Sequence, residues 1–475
     1  MTLQSSDRTD TSATFAVLNP ATREEVARVP DCGVEGAEQA IEAAHRMFPA
    51  WAARTASQRA EILQQAARLV RERIEDLAKT LTLESGKPLA ESRGELLGSA
   101  GFFEWAGEEA KRVYGRTVPP SLEDRRYLVT RQPVGVVAAI TPWNFPSAMV
   151  ARKAGPALAA GCTVVLRPAS ATPLSALALA DVLRDAGLPE GVLTVVTTKS
   201  SAPIGDLFAT HPLVRKLTFT GSTEVGKRLM QLAAGSVKRV SMELGGHAPI
   251  LVFADVDLEK VADGVIAAKF RNAGQTCACA NRLYVERPIA EELSRKVAER
   301  AAKLTVGDGL NDATRIGPLI DDRALARVSD HVSDALERGA RLLAGGRQAY
   351  PGGLRGAFFE PTILADVPPE ARVLHEETFG PLLPIVAFDT EAEALALAND
   401  TPYGLASYVF TRDVGRVFRV AEGLEYGIVG VNDPIPLAVQ MPFGGMKESG
   451  LGRENAVEGI DAFLETKAVS IGIAV

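Results

Sequence analysis

The residues from Phe270 to Cys279, Phe-Arg-Asn-Ala-Gly-Gln-Thr-Cys-Ala-Cys, carry the densest chemical signal in the chain. Cys277, flanked by small residues after a helical stretch, is open to three readings: a nucleophile, a zinc ligand or a small buried side chain. The Cys-Ala-Cys spacing, with no second Cys/His pair among five histidines, argues against zinc, and no metal site is expected. Glu243, in Met242-Glu243-Leu244-Gly245-Gly246, closes an apolar strand pattern beside two glycines. A carboxylate is costly to bury there unless it is paired or functional. Asn144, in Thr141-Pro142-Trp143-Asn144-Phe145-Pro146, follows another apolar run and offers an amide to a developing oxyanion. Taken alone, it reads better as closing an Asx turn between prolines. Phe219 to Lys227 (FTGSTEVGK) reads as a strand, a glycine turn and a helix start, which aims backbone N–H groups at a phosphate. It lacks the GxGxxG spacing, so by itself it is a weak sign of a dinucleotide.

These pieces need elements to hold them. After a polar tail, residues 35 to 115 read as helical, with Ile62, Ala66, Leu69, Ile74 and Leu77 at helical spacing and Pro88 opening a further helix. Val113 to Arg131 reads as a hairpin. From 134 to 252 strands and helices alternate: Val134–Thr141, Thr163–Leu166, Leu193–Val196, Lys216–Thr220 and Arg239–Leu244 are short apolar runs. That pattern predicts an α/β fold with a doubly wound parallel sheet, whose ligands sit at the carboxyl ends of strands. A second α/β series follows to about residue 430, with helices near 258–269, 288–303, 321–338 and 391–399. A last strand, Ala468 to Ile473, stands apart.

The chain has 475 residues, 46% apolar and 23% charged, as in ordinary globular proteins, which excludes wholesale disorder and fibrous repeats. A net charge of −7 gives no footprint for nucleic acid. Four cysteines are no disulfide framework, and no apolar run approaches the ~20 residues that cross a bilayer, so a cytoplasmic protein without membrane partners is expected.

Together the motifs resemble the aldehyde dehydrogenase superfamily over nearly the whole chain. TPWNFP, FTGSTEVGK, MELGG, GQTC, EETFGP and PFGGMKESGLGRE occur in the family's order. The resemblance implies a Rossmann-type cofactor domain (1–112 and 133–244), an α/β catalytic domain (245–445) and a β oligomerisation extension (113–132 and 454–475), hence a homodimer or homotetramer. It implies that Cys277 adds to an aldehyde, that Asn144 and the Cys277 N–H hold the oxyanion, and that Glu243 activates the deacylating water, with Lys153 a further catalytic residue. NADP or NAD would lie along Thr141, Trp143, Arg167, Ser170, Gly221, Ser222, Gly226, Glu377 and Phe379. CoA-acylating relatives generally lack the Glu of MELGG, so water is the expected acceptor.

Two departures from the family pattern bear on specificity. Arg167 stands where the family usually has Lys, and Ser170 where NAD-preferring members often have Glu. A small Ser with an Arg fork would admit a 2′-phosphate. Arg152, eight residues after Asn144, and Arg271, six before Cys277, resemble the succinate-semialdehyde dehydrogenase branch. There the two arginines, with Phe145 and Phe443, would bind an aldehyde with a far carboxylate. Leu437 stands near where those enzymes commonly place a Ser, which leaves substrate chain length open. Such relatives also use the Cys-X-Cys pair as a reversible switch, which would make Cys279 a resolving thiol. On an extended chain the two Cα atoms lie ~6.5–7 Å apart, so the loop would have to bend.

Overall fold

The computed structural model describes residues 13–473. Its first sheet runs, in space, Arg239–Glu243, Val214–Thr220, Val136–Ile140, Thr163–Arg167, Leu193–Val195, all parallel, with Gly450–Leu451 antiparallel against the outer edge. Every residue of 136–140 and 163–167 is buried, as strands covered on both faces require. Side chains alternate between two cores. Val137 and Ala139 pack against helices Ala56–Glu72, Leu89–Ala110 and Pro146–Ala160, while Val136, Ala138 and Ile140 pack toward Gly33–Ala52 and Ser201–Thr210. The chain lays down the central strand first, moves outward through 163–167 and 193–195, then returns to the other side through 214–220. That reversal opens a crevice at the carboxyl ends of 136–140 and 214–220.

The second sheet runs Arg341–Ala344, Thr362–Ala365, Leu382–Phe388, Ala280–Glu286, Ala248–Val252, Ala406–Phe410, Ile428–Val431, parallel except for its first strand. Leu244–His247 joins the two sheets end to end. Carboxyl ends of the first sheet therefore meet amino ends of the second, and this junction positions the site.

The expected α/β doubly wound fold is present, with two corrections at its margins. Within the stretch read as a polar tail, Thr14–Leu18 and Glu25–Pro30 form an antiparallel hairpin, whose Phe15, Val17 and Val29 pack on Leu174. The alternation of Phe15 and Val17 was a legible period-two signal. The last strand begins earlier than expected, at Leu464, and ends at Gly472. It pairs antiparallel with Arg125–Pro133, which also pairs with Arg116–Val118, giving a separate three-stranded sheet. No helix among the described residues is long and apolar enough to cross a membrane.

Candidate active site

The loop before the second sheet's Ala280–Glu286 strand carries Cys277, and it is under strain. Asn272 and Ala273 hold φ of 51° and 55°, left-handed values that cost non-glycine residues on the order of 1–3 kcal/mol each. Surrounding bonds enforce them. The Asn272 N–H donates to Glu91 Oε2 (2.8 Å) and its side-chain amide to Asn144 O (3.1 Å). Gln275 ties the loop to a neighbouring segment, donating to Pro318 O (3.3 Å) and accepting from the Ile320 N–H (3.0 Å). Gly274, at φ 74°, lies so close to Gly380 that a Cβ would sit 2.2 Å from its carbonyl oxygen.

Two cavities of about 350 Å³ each meet at Cys277, which with Met149 lines both. Cys277 is half-buried, and burial pushes its thiol up to about 12, opposed by the charge of Arg152. Asn144 lines the first cavity. Its amide donates to Gln275 O (3.0 Å), fixing the side-chain plane beside the thiol. Asn144 is also held from behind by residues the sequence reading missed. Lys87 Nζ donates to Asn144 O (2.6 Å) and to Glu95 Oε2 (2.5 Å), both charged side chains being buried. The other Glu95 oxygen accepts from the Ser147 and Ala148 N–H groups (2.9 and 3.0 Å), the exposed amides at the start of helix 146–160. Nothing local in the sequence marks Lys87 or Glu95, because their partners are far along the chain.

Trp143, Gly221, Ser222, Gly245, Glu377 and Phe379 line the first cavity, as does Arg327, which the sequence reading missed. Gly221 sits against the Phe219 ring, where a Cβ would come within 2.5 Å. Ser222 precedes helix Thr223–Ala234 without a side-chain cap, leaving that helix's first N–H groups for a ligand. Gly226 stands in no cavity wall; a Cβ there would lie 2.3 Å from Leu244, so it lets the helix pack on the strand end. Glu377 accepts from the Gly246 N–H (3.0 Å), and burial raises it to about 7. Phe379 meets Trp143 edge-on at 5.6 Å. The glycine-lined strand end, free helix amides and flanking aromatics fit a dinucleotide.

Thr141 and Arg167 are buried and line neither cavity. Arg167 donates to Ser201 Oγ, and desolvation lowers it to about 10. Ser170 lines a separate hollow of about 590 Å³ with Lys199 and Arg28; this hollow shares Ile320 and Asp321 with the first cavity.

Glu243 is 3% exposed, and neither carboxylate oxygen has a partner. Burial, with a lesser push from Glu454, raises it well above the usual carboxylate range, opposed by Lys153 and Arg152. Lys153 lines neither cavity; its Nζ donates to Glu454 Oε1 (2.6 Å) and Thr218 Oγ1 (3.0 Å). Glu454 is therefore a second residue that the sequence reading missed beside Glu243.

Arg152, Arg271, Phe145 and Phe443 all line the second cavity. The Arg152 guanidinium lies 4.2 Å from the Phe443 ring and 4.8 Å from Phe102, and Arg271 lies 4.8 Å from Phe145. Leu437 lines the same cavity, as its place in the loop implied. Cys279 is buried in neither wall, its thiol donating to Lys269 O (3.1 Å). The chain between the two cysteines is not extended, for the Cys279 N–H bonds to Thr276 O (3.0 Å) and closes a turn.

An open parallel sheet ending on a glycine-lined cavity, joined to a second α/β sheet that presents a thiol, defines an α/β oxidoreductase of the dinucleotide-dependent class. The chain belongs to the aldehyde dehydrogenase family, whose model matches residues 8–469, and it is an oxidoreductase of the kind that uses NAD or NADP. It is 54% identical to the succinate-semialdehyde dehydrogenase [NADP(+)] GabD of Escherichia coli, over 96% of this chain and 94% of that one. It is also 54% identical to 3-sulfolactaldehyde dehydrogenase of Pseudomonas putida (98% and 94% covered) and 52% to glutarate-semialdehyde dehydrogenase of Pseudomonas aeruginosa (98% and 95%). A crystal structure of an E. coli NADP-dependent enzyme superposes with a TM-score of 0.95 at 53% identity, covering 97% of this chain and 95% of that one.

Proposed function

We propose that this enzyme oxidises a short aldehyde carrying an anionic tail to its carboxylic acid, succinate semialdehyde to succinate being the first candidate and another small anionic or neutral aldehyde the alternative. The observation that carries this is the pair Arg152 and Arg271 in the cavity on the far side of Cys277 from the glycine-lined one. Arginine forks bind carboxylates and sulfonates by charge-assisted hydrogen bonds. The relatives named above act on carboxylated or sulfonated aldehydes, in keeping with an anion pocket but not with one tail chemistry.

In this reading the Cys277 thiol loses its proton to solvent as Sγ bonds to the aldehyde carbon, the C=O π bond opens and the carbonyl oxygen takes the negative charge. The Asn144 amide and the Cys277 N–H stabilise that oxygen. Trp143, Gly221, Ser222, Glu377 and Phe379 would hold NADP or NAD, which when bound would supply the acceptor for the hydride whose loss converts the Cys277 adduct to a thioester. Glu243, its pKa raised by burial, then takes a proton from water as the water oxygen bonds to the thioester carbon and the C–S bond breaks. Lys153 acts through Glu454 to set the charge around Glu243.

Ser170 leaves room for a 2′-phosphate, and NADP is the proposed preference. The three-stranded sheet of residues 116–133 and 464–472, with open edges and exposed Ile471, is the proposed contact between subunits of a cytoplasmic homodimer or homotetramer. Cys279 is proposed to resolve a peroxide-formed Cys277 sulfenic acid: its sulfur bonds to Cys277 and water leaves. The turn closed by the Cys279 N–H on Thr276 O supports this reading, and the bond from the Cys279 thiol to Lys269 O must break for it.

The test is kcat/KM for succinate semialdehyde and butanal in wild type, Arg152→Ala and Arg271→Ala. Each variant should lose about 2–5 kcal/mol toward the charged substrate and far less toward butanal. Equal losses on both would remove the anion pocket.

A further inference from the structure

The arginine-lined cavity is larger than a four-carbon semialdehyde fills, and one of its walls is a helix with open space before it. Its volume of about 350 Å³ falls in the range of ~300–1,000 Å³ that holds drug-sized ligands. Helix Leu89–Ala110 lines it with Gly94 and Gly98, one turn apart, beside Phe102 and the carboxylates Glu91 and Glu95. The Asn272 N–H holds Glu91, and Lys87 with the Ser147 and Ala148 N–H groups holds Glu95. A Cβ at either glycine meets no atom within 4 Å, so the space before both is open. Neither has a positive φ, so the backbone does not require glycine, and glycine in a helix interior weakens the helix relative to alanine. The loop bounding the same cavity adds the apolar side chains Ile435, Leu437 and Val439.

The guanidinium that carries the anionic-aldehyde reading adjoins this space and is left without a partner. Arg152, only 7% exposed, lines this cavity with Nε and Nη1 lacking any hydrogen-bond partner; its nearest carboxylate, Glu454, lies 3.9 Å away. A buried guanidinium left open beside an apolar recess suits a molecule with an anionic end and an apolar body.

We infer that the preferred substrate is an anionic aldehyde whose apolar body is longer or broader than a four-carbon chain, with the Gly94–Gly98 recess taking that body and Arg152 the charged tail. This rests on the anionic-aldehyde reading above. Each methylene that enters an apolar recess is worth about tenfold or more in kcat/KM.

The test measures kcat/KM for ω-carboxy aldehydes of four to seven carbons, and for neutral aldehydes of the same lengths, on the full-length enzyme with NADP. The wild type should gain about tenfold or more from four to six carbons in the carboxylated series. Gly98→Leu, which fills the recess from a helix position with open space, should keep or raise Tm. It should lower the six-carbon to four-carbon ratio by about tenfold or more. Should that chain not fold, the same ratio in Gly98→Ala decides. A wild type that favours four carbons, or a Gly98→Leu enzyme that loses equally at every length, would overturn the recess. A rise with length that is identical for charged and neutral series would leave the recess standing and remove the anion pocket instead.

Discussion

The two cavities that meet at Cys277 are built differently. The glycine-lined one is bounded mainly by motif segments (strand ends, a glycine turn, a helix start and the 377–379 turn), with the 320–327 segment and Met149 outside any motif. The arginine-lined one is assembled from distant pieces: helix 89–110, the start of helix 146–160, the loop before Cys277 and the 435–443 segment. Backbone amides and close glycine approaches tolerate little change, because a Cβ at Gly221 would collide with the Phe219 ring. Side-chain walls change one residue at a time without moving the backbone. Evolution of specificity on this fold is therefore expected in the second cavity, and cofactor handling in the first.

Breaking the junction should have the largest effect. Cys277→Ala, which belongs to both cavities, should reduce turnover to background while leaving Tm near wild type, read by steady-state assay and calorimetry. Glu243→Gln should retain a burst of reduced cofactor and slow deacylation by ~10²-fold or more, read by stopped flow. The raised pKa fixes the sign of its pH dependence. The base works only when ionised, so wild-type deacylation should climb as pH rises through that elevated value, and this limb should vanish in the Gln variant.

A third substitution sharpens the contrast by removing support behind the wall. Lys87→Met strips the buried Glu95 of its partner and should cost about 3–5 kcal/mol of stability by denaturant unfolding. Pairing it with Glu95→Leu should recover part of that loss. Recovery of stability without recovery of kcat would show that Lys87 positions Asn144 as well as holding the fold. Ser170→Glu should act on the cofactor side alone, raising KM for NADP by like-charge repulsion while changing KM for NAD and aldehyde little. The smallest effect belongs to Cys279→Ala, which should keep activity but lose recovery by dithiothreitol after mild peroxide; full recovery in that variant would make Cys279 packing only.

By itself the sequence determined the alternation of strands and helices from 134 to 252, because unbroken apolar runs alternating with helical spacing leave few topologies other than a doubly wound sheet. It also nominated Cys277, Glu243 and Asn144 as candidates, each at a strand or loop end within three residues of a glycine or proline, and the family resemblance gave them their expected roles. It pointed to Arg152 and Arg271 only through family likeness. Tertiary structure alone decided what surrounds them. Lys87, Glu95 and Glu454 act on Asn144 and Glu243 from positions tens to hundreds of residues away, so no local pattern records them. It also decided that the Cys277 loop is bent and strained, since left-handed Asn272 and Ala273 are imposed by bonds to Glu91, Asn144 and Gln275 rather than chosen by residue type. Gly94 and Gly98 read in sequence as poor helix formers and nothing more. Only packing against Arg152, Phe102 and the 435–439 loop turns their missing side chains into space for a substrate, because a cavity is a property of what its neighbours leave unfilled.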